Sequence, residues 1–383
     1  MPRGYKQMQP IDISPEIIEW AIVRAGYNIP SLEKQFPNIE DWLKKEKNPT
    51  ITQLRKFAQK VHLPFGYLFL ETPPEEKFPI PYYRTVSSEE TEISIELMDV
   101  VNSALNRQDW LSTYLADNSY EPLPFVGKLA NPNNVKDVVE NIRETLNLKE
   151  YWASKFNTWY QSLDFITRKV EELGIVILFN SVVGNNTHRP LAVEECRGFV
   201  LINKYAPFMF INSADSKSAQ MFTIVHELAH IWIGESASFN LRNLQPADNP
   251  KEILCDRVAA EFLVPESLFI KRWKEESNIE SISRYFKVSP IVIARRALDL
   301  KKIDKNQFFE FYNAYIKNDY VQKKKDSQKG GGDFYILQRR RLGSNFILHV
   351  TQAVGQNKLA YRDACRLTEL RGDVLSNLIK GES

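Results

Sequence analysis

Residues Thr223–Trp232 contain two histidines four positions apart, and a glutamate follows the first of them. Positions i and i+4 of a helix project from the same face, so the imidazoles of His226 and His230 converge on one metal ion. Glu227 then lies where it can reach a metal-bound water as a general base instead of binding the metal. The spacing predicts a zinc site with His226 and His230 as ligands and Glu227 as the catalytic residue.

The alternative is a helix in which two histidines fall four apart by chance. The chain has only five histidines, and Glu227 is the only charged residue between Phe222 and Trp232. Apolar flanks of this kind favour a helix that packs against a core while its histidines face a cleft. The flanks therefore favour a metal site over a coincidence.

A catalytic zinc also needs a third protein ligand and an open position for water. Some HExxH sites place a glycine three residues after the second histidine and a third histidine three residues beyond it. This chain has Ile233 and Ser236 at those positions. The third ligand is therefore expected to be a carboxylate from a following helix.

Three glutamates are candidates for that ligand. Glu252 falls in the first turn of a helix that Asn249 and Pro250 are predicted to begin. Glu235 follows closely on the end of the first helix, and Glu261 lies roughly opposite Glu252 on the helical wheel. Spacing favours Glu252, although a carboxylate at a helix start is also stabilised by the helix dipole alone.

The two motifs together resemble the ImmA/IrrE family of zinc metallopeptidases. That family joins HExxH to a stretch of the form E-x-x-A/C-N/D-x-x-A-x-x-x-L-x-P, and Glu252–Pro265 matches every specified position. The resemblance implies that Glu252 is the third zinc ligand and that Asp256 orients a histidine. It also implies a narrow substrate, typically a helix-turn-helix repressor whose cleavage switches on a stress, mobile-element or defence response.

Length and composition set the wider frame. The chain has 383 residues, 43% of them hydrophobic and 26% charged, with a net charge of +2. At roughly 150 residues per domain this implies two or three domains and excludes wholesale disorder. Its apolar runs are too short to span a membrane. We find no signal peptide, and the three cysteines have no CxxC spacing, so a cytoplasmic location is expected.

We predict an α+β fold in five segments. Helix caps, prolines and the resemblance give an Xre-like helix-turn-helix bundle at 1–72, a Pro-rich linker at 73–86, a helical segment at 87–173, a zincin-like peptidase core with a small sheet at 174–305 and a helical C-terminal extension at 306–383. In the core, residues 197–203 and 207–212 are predicted to pair as strands. The edge of this pair is the expected place for a substrate segment to add as a further strand.

Partners of the N-terminal bundle remain open. Between Ser14 and Leu70, eight basic residues face six acidic ones, and Glu40 and Asp41 lie on the helix that would read DNA. Carboxylates on such a surface weaken contact with phosphates. DNA binding and protein docking are therefore both kept as predictions for this segment.

Two functions follow. The first is a zinc-dependent endopeptidase that cleaves a specific regulatory protein. The alternative is an antitoxin-type binding protein that neutralises a co-encoded toxin, such as a PIN-like nuclease. Glu227 favours the enzyme, because a protein that only binds has no need of a general base.

Overall fold

The computed structural model describes residues 10–80, 93–130, 132, 134–234, 237–239, 249–326 and 334–380. The chain divides into two compact units, Met1–Phe78 and Pro79–Ser383. The second unit contains the predicted segments 87–173, 174–305 and 306–383. The end of the predicted linker, 81–86, lies outside the described residues. Along the part of the chain that is described, no helix is both long and apolar enough to cross a membrane.

The first unit is a small bundle with a core of its own. Its helices are α1 Pro15–Arg24, α2 Ile29–Glu33, α3 Ile39–Leu43 and α4 Ile51–Lys60, followed by a short 3-10 helix, Phe65–Phe69. Thr50 and Gln53 form a reciprocal capping box at the start of α4, which satisfies two backbone N–H groups. The buried core includes Ile17, Leu32, Ile39, Leu54 and Phe57.

The second unit is mainly helical. Its helices are α5 Ile95–Asp117, α6 Val135–Thr145, α7 Trp159–Glu171, α8 Lys217–Ile233, α9 Pro250–Leu263, α10 Glu266–Glu275, α11 Ile279–Phe286, α12 Pro290–Asp299, α13 Lys305–Asp326, α14 Phe334–Leu342, α15 Ser344–Gly355, α16 Tyr361–Thr368 and α17 Gly372–Lys380. A short 3-10 helix, Trp152–Lys155, lies between α6 and α7. Many helices with two small sheets fit the predicted α+β class.

The main sheet has the strand order β1-β5-β4-β6. The strands are β1 Val176–Asn180, β2 Val182–Val183, β3 Asn186–Pro190, β4 Gly198–Leu201, β5 Phe208–Asn212 and β6 Ala237–Phe239. β1 and β5 are parallel, whereas β4 runs antiparallel to both β5 and β6. β2 and β3 form a separate hairpin.

The prediction of an open strand edge is wrong. β5 pairs with β1, and the other side of β4 pairs with β6, with Gly198 opposite Phe239 and Val200 opposite Ala237. Both edges of the β4–β5 pair are therefore occupied. β6 has only three residues, too few for an alternating pattern to reveal a strand in the sequence.

The two faces of the sheet pack against different helices. Val200, Met209 and Ile211 belong to the core that also contains the apolar side of α8. Because side chains alternate along a strand, Phe208 and Phe210 face the other way. There Phe346 of α15 contacts Phe208 edge to face at 5.9 Å. The C-terminal helices thus complete the sheet, and α8 and α9 lie on its opposite side.

Candidate metal centre

Helix α8 holds the two histidines inside the core. Ser216 caps its start by accepting a hydrogen bond from the backbone N–H of Ala219, and Gly234 ends it in the left-handed conformation at φ 88°. The indole N–H of Trp232 donates to Asn141 at 2.8 Å. His226 and Glu227 have no exposed surface, and His230 is 2% exposed. The expected anchoring of the helix is confirmed, whereas both histidines are buried and do not line an open cleft.

Helix α9 brings the predicted third ligand to the histidines. Asn249 caps α9 and Pro250 occupies its first turn, as the sequence predicts. The buried face of α9, which includes Cys255 and Ala259, shares a core with α8. Glu252, in the first turn, is 3% exposed. Packing of α9 on α8 therefore places this carboxylate at the histidine pair.

Three potential ligand atoms converge at one point. His226 Nε2 lies 3.1 Å from Glu252 Oε2, and His230 Nε2 lies 3.1 Å from Glu252 Oε1. The two Nε2 atoms are 3.2 Å apart. Ligand atoms at 2.0–2.1 Å from a tetrahedral ion lie about 3.3 Å from each other. The spacing fits a metal ion, and His226, His230 and Glu252 could hold one.

The protonation states of His226, His230 and Glu252 depend on one another. Burial by itself would lower the pKa of His226, but its hydrogen bonds with Asp256 and Glu252 raise that pKa to about 10. Burial by itself would raise the pKa of Glu252, but the two histidines lower it to about 2. Burial lowers the pKa of His230. The carboxylates thus favour a positive charge between the imidazoles, which a proton or a metal ion can supply.

Glu227 lies beside the cluster without a polar partner. Neither of its carboxyl oxygens has a hydrogen-bond partner among the residues that the structure describes, and burial raises its pKa well above the usual value. A Cβ added to Gly198 would lie 3.5 Å from Glu227 Oε1, so β4 passes directly over this carboxyl group. Unpaired buried carboxyl groups are costly, and they concentrate at functional sites.

Asp256 contacts the cluster from one side. His226 Nδ1 donates to Asp256 Oδ1 at 3.0 Å, which turns Nε2 of the same ring toward Glu252. A carboxylate that fixes the ring and tautomer of a histidine is a common feature of metal sites. In sequence, only the family resemblance pointed to this residue.

Of the two rival carboxylates, Glu261 is not part of the cluster. Glu261 forms an ion pair with Arg296 and accepts a hydrogen bond from the backbone N–H of Glu266. Glu235 lies outside the described residues. Sequence reasoning did not find Gly198, although a glycine inside a strand is a recognised sign of close backbone approach.

One comparison with known proteins matches the region of the chain that contains this site. Residues 170–298 match the sequence profile of the peptidase M78 family, described as the IrrE N-terminal-like domain. The matched region contains the main sheet, α8 and α9, and peptidases of this family are generally metal-dependent. Searches of the curated proteins and of the solved structures gave no match.

Proposed function

We propose that this protein is a zinc-dependent endopeptidase. His226, His230 and Glu252 would hold the ion. Zinc supplies Lewis-acid chemistry at such a site, because it makes water acidic near pH 7 and polarises a peptide carbonyl. The observation that carries the proposal is the convergence of three ligand atoms next to a buried carboxyl group without a partner.

Each residue has a separate role. Glu227 takes the proton of the attacking water and returns it to the departing amine, which a group with a raised pKa can do near neutral pH. Asp256 is a positioning residue that keeps His226 in the tautomer with Nε2 toward the ion. Gly198 keeps β4 close to Glu227, since any side chain there would meet Thr223 and the backbone of β5.

For the substrate, we propose a specific regulatory protein of the helix-turn-helix repressor class. This follows from the resemblance in the two motifs and from the match to residues 170–298. An extended segment could pair with β4 only by displacing β6, which already occupies that edge. Because β6 must be displaced first, we expect cleavage of a partner that also binds another surface of the protein, and not of unfolded peptides in general.

For the N-terminal unit, we propose protein docking rather than DNA reading. On α3, Glu40 pairs with Lys44 and Asp41 pairs with Lys47, so these lysines are already neutralised. A duplex of random sequence should bind the chain weakly, with little change in affinity between low and physiological salt. Tight, sequence-dependent binding in fluorescence anisotropy would overturn this proposal.

The test of the metal site is zinc per chain by elemental analysis. We expect about one zinc per wild-type chain from the three-ligand geometry, and a sharp loss in Glu252→Gln. Glu261→Gln is the matched control, because it alters the same helix and the same side-chain type outside the cluster. Equal zinc in all three proteins would reject Glu252 as a ligand.

The same measurement separates the two candidate functions. Wild-type protein that takes up no zinc even after reconstitution would remove the peptidase and leave the antitoxin-type binding protein. The unpartnered Glu227 favours the enzyme, because toxin binding alone gives no reason to bury a carboxyl group without a hydrogen bond.

A further inference from the structure

A cleft lies on the face of the main sheet that points away from α8. It has about 30 Å³ of free space while the Glu369 side chain is in place, is open to solvent, and lies between the sheet, α5 and the C-terminal helices. We call it the outer cleft and define it by Ser103, Arg107, Leu178, Phe210, Arg341 and Glu369. It shares none of its lining residues with the metal cluster.

The deepest charge in the outer cleft is the guanidinium of Arg107. Its side chain is 9% exposed, and burial lowers its pKa. Arg107 Nη2 lies 3.2 Å from Glu369 Oε1, and Nε donates to the carbonyl of Leu367 at 3.1 Å. Ser103 Oγ donates to the same Glu369 oxygen at 2.5 Å. The guanidinium of Arg107 and the hydroxyl of Ser103 thus already bind one anionic group.

The anionic group is the carboxylate of Glu369, which reaches Arg107 and Ser103 from the solvent side. Its side chain is 39% exposed, and its backbone at the end of α16 has φ +57°. Its other oxygen, Oε2, would lie 2.6 Å from a Cβ added to Gly184, so the hairpin turn leaves room for it only because a glycine is there. A carboxylate held at the rim of a cleft can swing into water without any change in the core.

A second guanidinium lines the same cleft. Arg341 Nη1 donates to Asn185 Oδ1 at 2.5 Å, and that oxygen also accepts from Gln338 Nε2 at 2.9 Å. Nε of Arg341 is buried and has no hydrogen-bond partner within the described parts of the chain. Two arginines and one carboxylate therefore line the cleft, which keeps an excess positive charge.

The floor of the outer cleft is apolar. Leu178 of β1 and Phe210 of β5 form it, and both are buried. Phe210 stacks on Phe199 of β4 with ring centres 4.9 Å apart. An apolar floor with a few convergent polar groups is the usual composition of a small-molecule site.

We propose that the outer cleft binds a small organic anion. Its carboxylate or phosphate takes the place of the Glu369 carboxylate between Ser103 and Arg107, with Arg341 as the second cation. Its apolar body rests on Leu178 and Phe210. Glu369 is then an internal competitor that occupies the site when no ligand is bound.

The experiment is isothermal titration of the full chain with four probes: phenyl phosphate, benzoate, inorganic phosphate and benzyl alcohol. Phenyl phosphate and benzoate carry both an anionic head and an apolar ring, and they distinguish a phosphate ligand from a carboxylate ligand. Inorganic phosphate tests the head alone, and benzyl alcohol tests the ring alone. Both single-feature probes should bind more weakly than the best of the first two.

Two variants separate this site from the metal cluster. Arg341→Gln should weaken the best probe about tenfold or more, because a charged hydrogen bond is lost. Glu369→Gln should tighten it by a similar factor, because the internal competitor loses its charge. Glu275→Gln is the control for net charge: it lies on α10, is exposed and pairs with Arg272, and it should leave affinity unchanged.

The proposal is overturned if no probe binds wild type or Glu369→Gln, or if benzyl alcohol binds as tightly as the anions. It is also overturned if Arg341→Gln binds like wild type, which would place the anion elsewhere, including at the metal cluster. Tighter binding in Glu369→Gln together with weaker binding in Arg341→Gln supports it. The readout is binding, so the result is independent of the proposed peptidase activity.

Discussion

Glu227 and the three proposed ligands, His226, His230 and Glu252, are all buried, but they differ in whether their polar atoms have hydrogen-bond partners. His226 and Glu252 hydrogen-bond each other, and Asp256 supports the histidine from outside. Both oxygens of Glu227 lack a partner within the described residues. A buried carboxyl group without a hydrogen bond does not stabilise the fold, so function and not stability explains Glu227 at this position.

At this scale we expect Glu227→Gln to separate metal binding from catalysis. The variant keeps the three ligands, so zinc per chain should equal that of wild type. Cleavage of the protein partner should fall by about 10²–10⁴-fold, because the general base is gone. The partner is first captured with the inactive variant from cell extract, and its hydrolysis by wild type is then followed on gels.

Glu266→Gln on α10 is the control, since this side chain lies outside the cluster and should leave cleavage intact. Full hydrolysis of the captured partner by Glu227→Gln would contradict the role given to this residue.

A second prediction at the residue scale concerns pH. The pKa of His226 is raised to about 10 in the metal-free protein, so the ring is protonated at pH 8. A zinc ligand must be neutral, and binding therefore expels this proton. Zinc affinity should rise with pH by about tenfold per unit between pH 7 and 10. Titration calorimetry in two buffers of different ionisation enthalpy should show about one proton released at pH 8.

Asp256→Asn provides the comparison for this experiment. It removes the carboxylate whose hydrogen bond does most to raise the pKa of His226. Fewer protons should then be released at pH 8. Zinc binding that is independent of pH in wild type would show that the ring is already neutral.

At the scale of elements, the contact between β4 and α8 positions Glu227. A Cβ at Gly198 would lie 2.5 Å from Thr223 Cγ2 and 2.8 Å from the carbonyl oxygen of Phe210. Gly198→Ala must therefore push the strand from the helix. We expect a loss of about 1–3 kcal/mol in the free energy of unfolding, measured with urea.

Gly355→Ala is the matched substitution. This helical glycine has no atom within 4 Å of the added Cβ, so the change should stabilise the protein by about 0.5–1 kcal/mol. If Gly198→Ala proved as stable as wild type, the close packing of β4 on α8 would be refuted.

The sequence predicted those elements whose signals are local. Asn249 and Pro250 mark the start of α9 within a residue, and the histidine spacing follows from helix geometry alone. Pairing partners are not local. The sequence of β1 does not indicate that this strand pairs in parallel with β5. The three residues of β6 are too few to show the alternation of a strand. An open edge of the β4–β5 pair was therefore predicted, and the pairing of β4 with β6 was missed.

The candidate site shows the same division. His226, Glu227 and His230 follow from one helical turn, whereas Glu252 was first among three candidates until the resemblance favoured it. Gly198 contacts the site through tertiary packing between a strand and a helix. Sequence spacing gives the side chains of one element, but contacts between elements depend on how they pack.

At the scale of the whole molecule, the two units have separate cores. Every buried residue of the first core lies between Ile13 and Leu68, and its contacts are between neighbouring helices. Expressed alone, residues 1–78 should keep a helical circular-dichroism spectrum and unfold cooperatively with heat. Leu54→Ala should lower the midpoint, because it empties a fully buried position, whereas the exposed Val23→Ala should not.

Residues 79–383, which contain all the proposed ligands, should bind as much zinc as the full chain. A fragment 1–78 that is unfolded on its own, or a second unit that loses zinc, would show that the two units depend on each other.

The cover that α14 and α15 give to the sheet has a consequence for synthesis on the ribosome. Leu178, Phe208 and Phe210 leave the exit tunnel long before these helices do, because α14 begins only at Phe334. At ordinary elongation rates the delay is on the order of 10 s. During that interval one side of the incomplete sheet is an apolar surface of the kind that chaperones bind. The time at which α14 and α15 are synthesised therefore sets how long each new molecule needs protection.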